Sequence, residues 1–194
     1  KIGSEEVFVS DDPTIPESMG FYLFDDEGVE SRKRELIKGG VITDLLHNRE
    51  TSFKMNIRSN AASRSVEFDK EPIIRMSNTF IEPGDYDITE LLSDIKKGVY
   101  IKNFMEWNID DRRENQRYVG FEAYLIKNGE LDINVKSPVL ELTSKKFWSS
   151  VDARSKNLDF KAANCGKGEP MQGAPVWTGA PDVRLRNIRI GTRS

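Results

Sequence analysis

The chain has 194 residues, 31% of them charged, and a formal net charge of −3. That length holds one domain with a real core or two small ones, and the acidic balance argues against nucleic acid, which needs a basic face. A single cysteine excludes an internal disulfide framework and favours a reducing, cytoplasmic setting, and no apolar run reaches the roughly 20 residues that span a bilayer.

The sequence begins with Lys1 and shows no signal peptide, so an internal or C-terminal piece of a longer protein is expected. Residues 6–9 (EVFV) read as a short strand that ends at the turn-rich SDDPTIP. Residues 21–24 (FYLF) read as another, closed by the turn DDEG at 25–28. Asp25, Asp26 and Glu27 invite a calcium site, but that ion takes ligands at wider, alternating spacing, and a solvated turn is expected. Residues 35–46 read as two strands about a Gly39-Gly40 turn. His47 follows, read as a surface or hairpin-end histidine. One histidine leaves the chain alone poorly supplied for a zinc site or a histidine-dependent hydrolase.

A helix is expected over residues 87–97. Asp87 is its N-cap with Glu90 in the capping-box position, and Ile88, Leu91, Leu92 and Ile95 form its apolar stripe. Lys96, Lys97 and Gly98 suit its C-terminus. Residues 118–135 form the strongest hairpin, turning at Asn128-Gly129. Val119, Phe121, Ala123 and Leu125 are expected on its core face, with Leu131, Ile133 and Val135 after the turn. Glu122 and Tyr124 fall on the more polar face. LIKNGEL here echoes LIKGGVI upstream, which shared hairpin chemistry explains more simply than a structural repeat.

A second helix is expected over residues 144–154 with Phe147, Trp148 and Val151 inward. Residues 162–181, AANCGKGEPMQGAPVWTGAP, read as a long loop between two strands, and such loops are often functional. Its cysteine, Cys165, sits among polar, turn-prone residues and is a candidate ligand or nucleophile. Residues 183–190 alternate, slip phase at Asn187 and resume, as a β-bulge would produce. Arg184, Arg186, Arg189 and Arg193 read as the outer face of an edge strand. The fold class is α+β, mostly antiparallel sheet with about two helices.

Several segments together resemble the C-terminal region of the TldD/PmbA family of zinc-dependent peptidases, once described as modulators of DNA gyrase. They are IGSEEVFVSDDPTIPESMGFYLFDDEGVESRKRELIKGGVITDLLHNRETS, RMSNTFIEPGDYDITELLSDIKKGVYIKNF, GFEAYLIKNGEL and NCGKGEP, in the family's order. The resemblance implies zinc held by two histidines of an H-E-x-x-x-H motif and by a cysteine in a Cys-Gly-Lys segment. It carries the third zinc ligand onto Cys165 of Cys165-Gly166-Lys167. It carries neither histidine, since His47 is followed by Asn48. The histidine pair and the glutamate general base are expected upstream of Lys1, so zinc is expected in the full-length protein and not in this segment alone.

The resemblance further implies a catalytic, TldD-like subunit acting on unfolded peptides or small proteins. Asn78 and Thr79, in RMSNT, become candidates for hydrogen bonds to a bound peptide. It implies pairing with a second copy or a homologous subunit; the lack of a long apolar run gives no membrane partner, and the acidic balance disfavours nucleic acid. Trp107 and Trp177 could be buried on such association. The alternatives are a zinc-free peptide-binding or assembly module, like the family's partner subunit, and a gyrase-associated regulator.

Overall fold

Two tight turns show why two of the hairpins form where they do. Gly39 and Gly40 have φ of 56° and 73°, and Asn128 and Gly129 have φ of 50° and 85°. Both pairs supply the positive φ that a two-residue hairpin turn needs. At Gly129 a Cβ would also lie 2.8 Å from the Ser93 carbonyl oxygen, so bulk is excluded there as well.

The structure, a computed structural model, describes residues 1–192. It is α+β with antiparallel-rich sheets. In chain order the elements are β1 (Val9–Asp11), β2 (Arg34–Lys38), β3 (Val41–Ile42), α1 (Arg49–Lys54), β4 (Ser63–Arg64), β5 (Ile73–Ile74), β6 (Asn78–Ile81) and α2 (Ile88–Ser93). There follow β7 (Lys97–Ile109), β8 (Asn115–Lys127), β9 (Glu130–Asn134), β10 (Pro138–Thr143), α3 (Ser144–Ser150) and β11 (Val151–Arg154). The chain ends with β12 (Asp159–Lys167), β13 (Gln172–Ala180), β14 (Val183–Leu185) and β15 (Ile190–Thr192). These elements group into two compact units, one of residues 8–82 and 158–180, the other of the remainder.

The first unit is built on a six-stranded sheet in the order β12-β13-β6-β1-β2-β3. β1 lies between β2 and β6, antiparallel to both. Strand pairing on both sides starts β1 at Val9 and draws in Ser10 and Asp11, two residues that read as turn. Glu6 to Phe8 stay outside it. FYLF is not a strand either, because Phe24 makes only an isolated bridge to Glu30. The turn after it does form, and its acidic side chains are committed to backbone amides. Asp25 accepts from Glu27, Val29 and Ser63, Asp26 from Ser65, and Glu27 from Arg49.

The second unit holds a sheet in the order β15-β10-β8-β7, with β9 also on β8, and the small pair β11-β14. Val119, Ala123, Ile126 and Val139 are buried in it. Phe121, Leu131 and Ile133 are exposed, contrary to the expected core face. Register shifts between Ile101 and Glu106 interrupt the β7–β8 ladder opposite this part of β8 and break the simple alternation.

Both helices of this unit are shorter than the sequence pattern suggests. α2 ends at Ser93 because Lys97 and Gly98 are taken into β7 by pairing with Lys127 and Ile126. Its start is as expected: the Asp87 amide donates to the Glu90 carboxylate at 2.7 Å. α3 ends at Ser150 because Val151 and Ala153 pair with β14. Asn187 is no bulge. It has φ of 57° and redirects the chain from β14 to β15, which pairs in the other sheet with β10.

Arg184 and Arg186 do not line a solvated edge. Arg184 donates to Asp152 at 2.9 and 3.1 Å and to Asp94 at 2.7 Å, and Arg186 donates to both aspartates. Arg189 is exposed, and Arg193 lies outside the described residues. Partial burial would raise the Asp152 carboxyl, but the two guanidiniums outweigh it and hold the carboxyl below its ordinary range. A depressed folded-state value contributes stability above the unfolded value, and that contribution is lost as pH falls through the folded one. The stability gap between wild type and Asp152→Asn is therefore expected to be constant above ~pH 4 and to shrink below it. Urea melts of both proteins from acidic to neutral pH check this, and a gap unchanged at low pH would contradict it.

Candidate functional site

Cys165 is placed by a hairpin, not by a loop. β12 and β13 pair antiparallel from Asp159↔Ala180 to Lys167↔Gln172, leaving only residues 168–171 as the tip. The expectation of a long loop fails because Gly173 and Pro175 fill outward positions of β13 and hide the alternation of buried Gln172, Ala174 and Val176. Pro175 is tolerated because β13 pairs with β6 only over Trp177–Gly179, beyond it. Cys165 stands opposite Ala174 and is half-buried on that covered face. At the other end of the hairpin Trp177 packs on Phe160, ring centroids 5.5 Å apart.

The covered face is held by the segment that includes β4 and β5, largely through hydrogen bonds from cations and amides to carbonyls. Arg75 is 1% exposed and donates to the carbonyl oxygens of Gln172, at 2.9 Å, and of Cys165. Arg64 donates to Met76 and Pro175 carbonyls at 2.7 and 3.1 Å, and Lys167 to that of Ile74 at 2.8 Å. The Gln172 amide donates to the Glu71 carbonyl at 2.7 Å.

Asn78 and Thr79 lie on β6, one strand beyond β13. With Asn78 opposite Trp177 and Cys165 opposite Ala174, Asn78 is roughly 14 Å from Cys165 by strand geometry. The three residues share a sheet but not a single spot. Asn78 is fully buried, and all four of its side-chain hydrogen-bonding positions are used. Its Oδ1 accepts from Gly20 and Trp177, and its Nδ2 donates to the Asp12 carbonyl and Ser18 hydroxyl. The Thr79 hydroxyl donates to Asp11 at 2.6 Å and keeps its acceptor lone pairs.

Asp11 is the centre of a network that the sequence did not reveal. It is fully buried and paired with the equally buried Arg34, and also accepts from Ser77 and Thr79. Arg34 donates further to the carbonyls of Asn60 and Ala61 at 2.9 and 2.8 Å. Burial alone would loosen the Arg34 proton, but the Asp11 carboxylate outweighs it and raises the guanidinium's affinity. Burial pushes the neighbouring Tyr22 phenol up, so it stays a donor to the Ala61 carbonyl at 2.8 Å. Nothing in a single sequence links residues this far apart.

His47 is buried, not a surface residue. Its ring Nδ1 lies 3.1 Å from the Thr51 hydroxyl and its amide donates to Asn60. The cause is helix α1, absent from the sequence reading although Asn48 and Thr51 form a legible capping pair. Among the described residues, no group of three or more His, Cys, Asp or Glu side chains converges as a metal site. One half-buried thiol supplies one soft ligand. A tetrahedral zinc needs more than that, so this chain's donor set does not by itself fit the ion.

The sequence matches the family described as the PmbA/TldA metallopeptidase C-terminal domain over residues 1–192. It is 39% identical to a metalloprotease of Methanocaldococcus jannaschii across 95% of this chain and 40% of that protein. It is 26% identical to a zinc metalloprotease TldD homolog of Saccharolobus solfataricus across 98% of this chain and 43% of that protein. In fold it is similar to TldE from Thermococcus kodakarensis, with a TM-score of 0.80 and 20% identity over 98% of this chain and 41% of that one. The chain thus spans about two fifths of the length of the relatives it matches.

Proposed function

The chain belongs to the PmbA/TldD metallopeptidase family, matching its C-terminal domain, and from that premise we propose that it is the cysteine-bearing part of a zinc-dependent peptidase. The observation that carries the proposal is Cys165 of Cys165-Gly166-Lys167, held on a paired strand with its carbonyl bound by a buried arginine. When bound, zinc supplies Lewis acidity toward a peptide carbonyl and acidifies a water molecule. Cys165 contributes one thiolate ligand. The remaining ligands and the general base come from outside this chain.

Unfolded peptides or small proteins are the substrates in this reading. Asn78 acts through the shape of β6, since its polar atoms are engaged inside the fold, while the Thr79 hydroxyl oxygen can still accept from a peptide amide. Assembly with a second copy or a homologous subunit belongs to the same proposal. Exposed Trp107, Phe121 and Ile133 are apolar groups such an assembly could cover. The chain alone is expected to be inert toward casein or a fluorogenic peptide, because its donor set is incomplete. The full-length protein is expected to hydrolyse them in a chelator-sensitive way. Chelator-sensitive cleavage by the chain alone, or none by the full-length protein, would overturn the reading.

A further inference from the structure

Arg75 is almost completely buried, and its guanidinium meets no acidic side chain among the described residues. Its Nε has no hydrogen-bond partner there either. Burying an arginine costs several kcal/mol unless its charge is met. Here it is met by two main-chain carbonyls, those of Cys165 on β12 and Gln172 on β13. One planar fork therefore bridges both strands at the residue that carries the thiol.

Beyond the β12–β13 ladder, the other hydrogen bonds described above hold the hairpin at Lys167, Gln172 and Pro175, and the side-chain bond at Cys165 itself comes from Arg75. Gly166 and Gly173 face each other across the hairpin, and nothing lies within 4 Å of a Cβ placed at either. Neither has a positive φ, so their backbone conformation does not demand glycine. Side-chain packing on the outward face of the tip is absent at these two positions, and a bare glycine pair leaves a strand free to flex. A metal ligand needs its rotamer and backbone held to about half an ångström.

We infer that Arg75 is a positioning residue for Cys165, its guanidinium clamping β12 to β13 so that the thiol is presented in a fixed place. The inference rests on the reading of Cys165 as a metal ligand and adds a residue to it. The charge of Arg75 makes each clamp bond stronger than a neutral one. The fork matters as much as the charge, since a lysine ammonium is a point charge on a flexible stem and does not span two carbonyls in the same rigid way.

The test uses the full-length protein stripped of metal, with alkylation of Cys165 by iodoacetamide followed by mass spectrometry. In Arg75→Met, alkylation is expected to be roughly tenfold faster, because two bonds to a charged donor are lost at the tip. Amide exchange of residues 164–174 should rise while that of β1 and β2 stays unchanged, a split that general destabilisation would not produce. Arg75→Lys should restore part of both. A folded Arg75→Met protein with wild-type alkylation and exchange overturns the inference. If Arg75→Met does not fold, Arg75→Lys carries the test, and wild-type rates in the folded lysine variant overturn it equally. Zinc content of Cys165→Ser decides the underlying reading separately: retention of zinc removes the ligand role of Cys165, whatever the clamp measurements give.

Discussion

Asp11→Ala is expected to unfold the six-stranded unit, or to leave it barely stable at room temperature. The substitution leaves the Arg34 guanidinium buried with no carboxylate, and it also strips acceptors from Ser77 and Thr79. Removing one partner of a buried ion pair costs about 3–5 kcal/mol. Whole domains are stable by only about 5–15 kcal/mol. Urea melts should therefore show a large fall in midpoint, and a shift near zero would show that the network is not what holds β1 between β2 and β6. The double variant Asp11→Leu, Arg34→Met is expected to be milder than Asp11→Ala, because it removes both charges together. Comparing the single and double variants separates the value of the pair from the penalty of breaking it.

Cys165→Ser should behave in the opposite way, with function lost and fold kept. The thiol is half-buried, and the oxygen of serine is smaller and nearly as well accommodated, so metal-free stability is expected to move by less than ~0.5 kcal/mol. Zinc prefers a thiolate to a neutral hydroxyl. Replacing even an outer-shell partner weakens metal sites about 10–100-fold, so loss of a direct ligand should cost more than ~100-fold in zinc affinity and in peptide hydrolysis. Metal analysis and initial rates on the full-length protein check both. Full zinc content with normal rates would show that Cys165 is no ligand.

What the sequence determined by itself was local chemistry. The turn at Asn128-Gly129 and the one at Gly39-Gly40 were legible because positive φ is a property of two adjacent residues. The start of α2 was legible because Asp87 and Glu90 meet within one helical turn. The Cys165-Gly166-Lys167 segment was likewise visible as a string. Tertiary structure decided the rest, because the interactions responsible join residues far apart in the chain. β1 exists at Val9–Asp11 because β2 and β6 arrive on its two sides. Both helices stop early because strand pairing claims their last residues. The segment around Cys165 is a hairpin because burial of Gln172, Ala174 and Val176 on one face outweighs the turn preference of Gly173 and Pro175 that alternate with them. The ion pair of Asp11 with Arg34, and the grip of Arg75 on the Cys165 carbonyl, are set by where strands meet, and no spacing along one sequence encodes that.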